Sequence, residues 1–327
     1  MELLILGGTR FLGYAVATAA RDRGHDVTCL ARGSGPVPDG VRLVLADRDD
    51  DGALAPVSDR PWDAVVDLAT LPGHVRRAVR DLHTSHRVQV STANVYARAD
   101  TPEQDEQAPV VDPLEADVMS GMEEYGAAKV ACEVAVRRAP GTSTVVRAGL
   151  IGGPGDASGR TGYYPWRFAH PTGPDVLVPD DPELPVSLID VDDLAAWIVL
   201  AAERRVDGTF NATGPTTSLG AVVDAARRVA GSGAEARPVA LDVLAREGVN
   251  QWMGPRSLPL WIAEPTMRWF STLDTSAARR EGLVTRPLEE TLARALAYEE
   301  TRDEARPRAC GLTDEEERAL RSALAGE

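Results

Sequence analysis

Met1-Glu2-Leu3-Leu4-Ile5-Leu6-Gly7-Gly8-Thr9-Arg10-Phe11-Leu12-Gly13 opens the chain, and its reading decides the fold. Leu3–Leu6 is an unbroken apolar run that ends in glycines, and helical spacing takes over from Leu12 to Arg23. Such a run reads as a strand buried on both faces. A strand, a glycine turn and a helix N-terminus together favour an anion, because unpaired backbone N–H groups and the helix dipole converge on the turn. Gly7 permits the tight turn and Gly13 lets the helix lie close to the sheet, while Arg10 stands where a middle glycine is usual.

The alternation continues downstream. Val27–Leu30, Leu43–Leu45, Ala64–Leu68, Val88–Ser91 and Thr144–Arg147 read as further strands, with helices over His74–Leu82 and Tyr125–Arg138. Short apolar strands separated by helices predict an α/β fold. Its form is a Rossmann-like doubly wound parallel sheet with a smaller C-terminal substrate-binding lobe. The expected division is a dinucleotide-binding domain over 1–148 that includes the helix 125–138. A substrate lobe over 149–300 returns some segments to the core, and 301–327 forms a charged helical tail.

Composition narrows the function. The chain has 327 residues, 43% hydrophobic and 26% charged, enough for a full globular core. A net charge of −15 disfavours nucleic-acid and anionic-membrane partners and leaves a small-molecule substrate. No run of 18 apolar residues and no signal-peptide pattern are present, and Cys29, Cys132 and Cys310 are scattered. A cytoplasmic protein is expected, and the histidines form no metal-binding pattern.

Lys129 is the sole lysine in a chain whose other basic residues are all arginine. It stands four residues after Tyr125, which puts both side chains on one helix face. An ammonium near a phenol favours the phenolate and makes a tyrosine usable as an acid or base near neutral pH. The second strand ends Cys29-Leu30-Ala31-Arg32. Ala31 cannot accept a hydrogen bond from a ribose hydroxyl, whereas Arg32 can pair with a 2′-phosphate and Arg10 can add a second cation. NADP(H) is therefore expected ahead of NAD(H). Asp47 is placed to accept from the adenine amino group. Thr9, Phe11, Leu12, Arg48, Leu68, Ala69 and Thr70 are further expected cofactor contacts beside Gly7.

The glycine turn, Thr92, the Tyr125/Lys129 pair and Asp192-Asp193 occur in an order that resembles the extended (atypical) short-chain dehydrogenase/reductases of the NAD-dependent epimerase/dehydratase family. The likeness implies that Thr92 bonds the substrate oxygen and Tyr125 moves the proton. It further implies that Lys129 holds the nicotinamide ribose while lowering the tyrosine pKa. Two departures narrow the chemistry. Dehydratases of the family carry Asp-Glu after the threonine, where this chain has Ala93-Asn94, and sugar-nucleotide enzymes commonly carry asparagine where it has Leu150. The expectation is an NADP(H)-dependent oxidoreductase that reduces a small-molecule carbonyl or oxidises the alcohol. The alternatives are an epimerase with retained cofactor, sugar nucleotides among its substrates, and a non-catalytic nucleotide-binding relative. The family often dimerises through the helix carrying Tyr125, so a homodimer is the default.

Asn94, Tyr164, Trp166 and Trp252 are the candidate substrate contacts, the last three in an aromatic-rich second half. Phe210-Asn211-Ala212 reads as a strand leaving the core, and Asp192–Glu203 and Leu219–Val229 read as helices. Ala97–Glu124 is a long acidic loop, a lid or a partner surface. Thr313-Asp314-Glu315-Glu316 reads as the capped start of a surface helix in the tail.

Overall fold

Why the first strands are apolar throughout becomes clear in the computed structural model, which describes residues 1–303 and 308–325. The chain divides into two units. The first comprises Met1–Gly149, Val191–Gly214 and Leu273–Thr285. It is built on β1 (Glu2–Leu6), β2 (Asp26–Ala31), β3 (Arg42–Leu45), β4 (Ala64–Asp67), β5 (His86–Thr92), β6 (Thr142–Ala148) and β7 (Gly208–Ala212). All seven pair in parallel, in the order β3-β2-β1-β4-β5-β6-β7.

Its main helices are α1 (Phe11–Asp22), α2 (Pro72–Asp81), α3 (Tyr125–Arg137) and α4 (Val191–Arg204). The chain steps to one side of β1 on leaving it and to the other side on leaving β4. Right-handed crossovers therefore place helices on both faces of the sheet. α1 packs with α4, and α2 with α3. Leu3, Leu4 and Ile5 are fully buried and Leu6 nearly so, as sandwiching between helices requires.

Phe210-Asn211-Ala212 does not leave the core. It forms the seventh strand, with Phe210 opposite Val146. A single apolar residue between polar ones looks like an exit from the core, but here the neighbouring strand supplies the backbone partners. The loop 97–124 is also tied down: Val111 N–H donates to Val95 O, Leu114 N–H to Ala127 O, and Gly73 N–H to Asp117 O.

The second unit comprises Leu150–Asp190, Pro215–Thr272 and the chain from Arg286 onward. Asp175–Pro179 pairs in parallel with Glu235–Val239, and Leu150–Gly152 with Leu188–Asp190. Helices Tyr163–Ala169, Leu219–Val229 and Leu288–Glu300 surround a core that includes Tyr163, Phe168, Leu177, Val222, Trp261 and Leu292. The tail helix Asp314–Ala325 has the expected reciprocal cap, with Thr313 N–H donating to Glu316 Oε2 and Glu316 N–H to Thr313 Oγ1. It is more than a charged surface. Leu320 is fully buried, and Glu317 pairs at 2.8 Å with the buried Arg167. Among the described residues, no helix is long and apolar enough to cross a membrane.

His86, at the start of β5, is 0% exposed. Thr144 Oγ1 gives its own proton to Val206 O, so the His86 Nε2 lying 3.2 Å away must donate, while Nδ1 takes the Thr142 hydroxyl at 2.9 Å. Burial, helped by Arg205, pushes its pKa down from 6.5 to about 4. Between these values the unfolded chain holds the proton and the folded chain does not, so stability falls as the pH falls. On full acidification this histidine accounts for a loss on the order of 3 kcal/mol. Urea midpoints measured from pH 7 to 4 should therefore decline less steeply in His86→Gln than in the parent; equal slopes would exclude His86 as the source.

Candidate active site

In an open α/β sheet the ligand crevice lies beyond the carboxyl ends of the strands, where the strand order reverses. Here that point falls between β1 and β4, and the residues that follow these strands are Gly7 and Leu68. Gly7 has φ +106°, and a Cβ on it would meet Leu68 Cβ at 3.6 Å. A Cβ on Gly13 would lie 2.1 Å from Gly7 O, so only glycine lets α1 close on the turn. Gly8 serves in the same way, since its Cβ would lie 2.2 Å from Cys29 Sγ on β2. Burial pushes that thiol up to about 12, so it stays protonated and acts as packing.

Arg10 precedes α1 in extended conformation, and Phe11 follows with φ 35°, a left-handed value uncommon for an aromatic residue. Thr9 is buried, and a Cβ on Gly35 would meet Thr9 O at 2.5 Å. The Arg32–Pro36 loop therefore runs against the Thr9–Arg10 turn. Arg10 and Arg32 are both exposed, and neither has an ion-pair partner among the described residues.

Asp47 caps its own turn, accepting Asp49 N–H at 3.1 Å. Arg48 has a partner that the sequence did not suggest. It binds Asp67 at 2.6 and 3.0 Å, with side-chain exposures of 11% and 7%. The buried Asp67 carboxylate requires a countercharge, and it also takes Ala69 N–H at 2.9 Å. Arg48 thus braces the turn that carries Leu68, Ala69 and Thr70.

Lys129 is 2% exposed. Its Nζ donates to Ala69 O beyond β4 at 2.8 Å and to Val90 O on β5 at 2.5 Å. An ammonium has three donors, and the third has no acceptor among the described residues. Burial lowers its pKa, opposed by the negative charge of Asp67 and Glu133 and by Cys132. Tyr125 lies one turn earlier on α3, half-buried. Thr92 ends β5, 8% exposed; it donates to Asn94 Oδ1 at 2.9 Å and accepts Asn94 N–H at 3.3 Å. A Cβ on Gly126 would lie 2.3 Å from Asn94 O, so the first turn of α3 presses on the turn after Thr92. Thr92, Asn94, Tyr125 and Lys129 thus share the carboxyl edge of the sheet with the glycine turn.

The three aromatic substrate candidates lie in the second unit. Tyr164 is 1% exposed, its hydroxyl donates to Pro259 O, and it packs in the core rather than facing a ligand. Trp166 lies under the Arg308 guanidinium at 3.7 Å. Trp252 stacks with Arg160 at 5.2 Å and meets the Phe270 edge at 5.5 Å.

Sequence reasoning missed a buried polar chain. Glu133 accepts Ser91 Oγ at 2.5 Å and Arg147 at 2.8 and 3.1 Å. Arg147 also donates to Tyr96 Oη at 3.2 Å, and Tyr96 donates to Asn211 Oδ1 at 2.6 Å. Burial works against the Arg147 charge, but Glu133 outweighs it and keeps the pKa raised. The readable signal was an arginine inside the apolar strand Val145-Val146-Arg147-Ala148, because buried charges come in pairs.

Residues 3–87 match the model for the NAD dependent epimerase/dehydratase family. The match runs from β1 into β5. A Streptomyces protein, 3-diazoavenalumate denitrifying reductase, is 26% identical over 316 residues, covering 85% of this chain and 91% of that protein. The fold is shared with a UDP-glucose-4-epimerase from Stenotrophomonas maltophila holding NAD and formylated UDP-arabinopyranose, at TM-score 0.69, 19% identity and 92% and 98% coverage. It is shared also with the Bordetella bronchiseptica enzyme WbmH in complex with NAD+, at TM-score 0.65, 18% identity and 92% and 99% coverage. The family match and the reductase relative together support an enzyme of NAD-dependent oxidoreductase or epimerase type.

Gly126→Ala tests the contact that brings α3 to Thr92. Alanine alone would favour the helix by about 1 kcal/mol, but overpacking against Asn94 O costs about 1–3 kcal/mol. A lower urea midpoint is expected; a higher one would mean that the two turns are not in forced contact.

Proposed function

We propose that the protein is an NADP(H)-dependent oxidoreductase that reduces a small-molecule carbonyl, or oxidises the corresponding alcohol, through Thr92, Tyr125 and Lys129. The observation that carries this reading is the buried Lys129 ammonium, fixed by Ala69 O and Val90 O with one donor unclaimed, one helical turn from Tyr125. That donor suits a ribose hydroxyl. The positive φ at Gly7 and the close approach at Gly13 suit a pyrophosphate at the start of α1. Arg10 and Arg32, exposed beside that turn, suit a 2′-phosphate.

A nicotinamide held there supplies or accepts the hydride. Tyr125 supplies the proton that a reduced carbonyl oxygen needs, or removes it from an alcohol. Lys129 places positive charge near the phenol and favours its ionised form. Thr92 turns its hydroxyl from Asn94 to the substrate oxygen. Ala93-Asn94 offers no acid or base for dehydration. In keeping with a net charge of −15, the reading takes the protein as cytoplasmic, with a small molecule rather than nucleic acid or membrane as partner, and as a homodimer through α3.

Tryptophan-fluorescence titration with NADPH and NADH, followed by a carbonyl screen, tests it. A diazo acid belongs in the screen because the Streptomyces relative is named as a denitrifying reductase of one. Tyr125→Phe should lower carbonyl turnover by at least ~100-fold with cofactor binding retained; unchanged turnover would overturn the assignment. Arg32→Ala should weaken NADPH by roughly 10-fold or more while NADH binding hardly moves. Equal losses for both would remove the NADP preference. A preparation that arrives with nicotinamide bound and consumes no NADPH would instead favour epimerisation with a retained cofactor.

A further inference from the structure

Three consecutive residues on β5 meet α3 in different ways. Val90 O takes the Lys129 ammonium, the Ser91 hydroxyl donates to Glu133, and Thr92 ends the strand at the site. Lys129 and Glu133 are four residues apart, so they stand on one face of α3 about one turn apart. Strand and helix are therefore joined by two directional rungs.

The second rung is held from behind. The Glu133 carboxylate takes three hydrogen bonds, from Ser91 and two Arg147 donors, with side-chain exposures of 8% for both Glu133 and Arg147. Arg147 lies 5.0 Å over the Tyr96 ring and donates to its hydroxyl. Tyr96 in turn is fixed by Asn211, a fully buried residue of β7. Burying an ion pair is rarely more stable than burying apolar groups of the same volume, so net stability does not account for this chain. An apolar contact also tolerates sliding, whereas hydrogen bonds of 2.5–3.1 Å do not.

We propose that Glu133 is a positioning residue, clamping the strand end that carries Thr92, through the Ser91 hydroxyl, to the helix that carries Tyr125 and Lys129. The inference rests on the oxidoreductase reading above. It adds that the distance between Thr92 and the tyrosine–lysine pair is set by a carboxylate that touches neither substrate nor cofactor.

Ser91 is the residue to vary, because changing Glu133 or Arg147 strands a buried charge and endangers folding. Ser91→Ala removes one hydroxyl, and Ser91→Thr restores it. The probe is 9,10-phenanthrenequinone with NADPH, with rates taken per mole of folded protein. Ser91→Ala should lower kcat roughly 10-fold while KM for the quinone and Kd for NADPH stay within about twofold, and Ser91→Thr should recover most of the rate. An unchanged kcat, or equal losses in both variants, would overturn the proposal.

A parent protein that binds NADPH but leaves the quinone untouched would place the failure in the carbonyl-reductase reading instead. The variants are then compared by amide hydrogen exchange. The clamp requires faster exchange at 92–96 and 125–129 in Ser91→Ala and not in Ser91→Thr, and equal protection in all three proteins would overturn it.

Discussion

A buried ammonium is the constraint around which the first unit is arranged. Lys129 has almost no access to water, so its charge must be met by oriented dipoles, and Ala69 O and Val90 O at the ends of adjacent strands provide them. The two carbonyls come from different sides of the β4–β5 pair. The lysine can reach both only if α3 lies tightly over the strand ends, which Gly126 permits by leaving no Cβ against Asn94 O. Where Lys129 is held, Tyr125 is held one turn away.

The glycine turn after β1 is arranged by steric absence rather than by attraction. Each of Gly7, Gly8 and Gly13 lacks a Cβ that would be strained at Gly7, would collide with Cys29 of β2 at Gly8, and would collide with the Gly7–Gly8 backbone at Gly13. The strand, the turn and the helix therefore close on one another, and Gly7 N–H ties the turn to Leu30 O of β2 at 2.9 Å. Arg48 and Asp67 add a buried pair that stiffens the neighbouring turn. This chain thus spends a cation on its own scaffold and leaves Arg10 and Arg32 exposed at the rim.

Much of this was legible in advance for physical reasons that act locally. Six strands and the crossover helices follow from apolar runs and helical periodicity, both short-range properties of the sequence. The glycine roles follow from spacing, and the Tyr125–Lys129 pair from one helical turn. β7 was misread because its seat depends on a strand distant in sequence, Val146 facing Phe210. The Arg48–Asp67 pair was not foreseen, because the two residues are distant in sequence. Tyr164 looked like a pocket residue by composition, but the second unit's core takes it completely.

The sequence by itself determined the fold class, the glycine turn between β1 and α1 and the placing of Tyr125 and Lys129 one helical turn apart, because each depends on residues close together along the chain. Only the tertiary structure decided which charges are free and which are used. Arg10 and Arg32 differ from Arg48 in no local feature strong enough to sort them. An arginine is committed or available according to whether a carboxylate from another segment is buried beside it, and that is settled only when the segments pack.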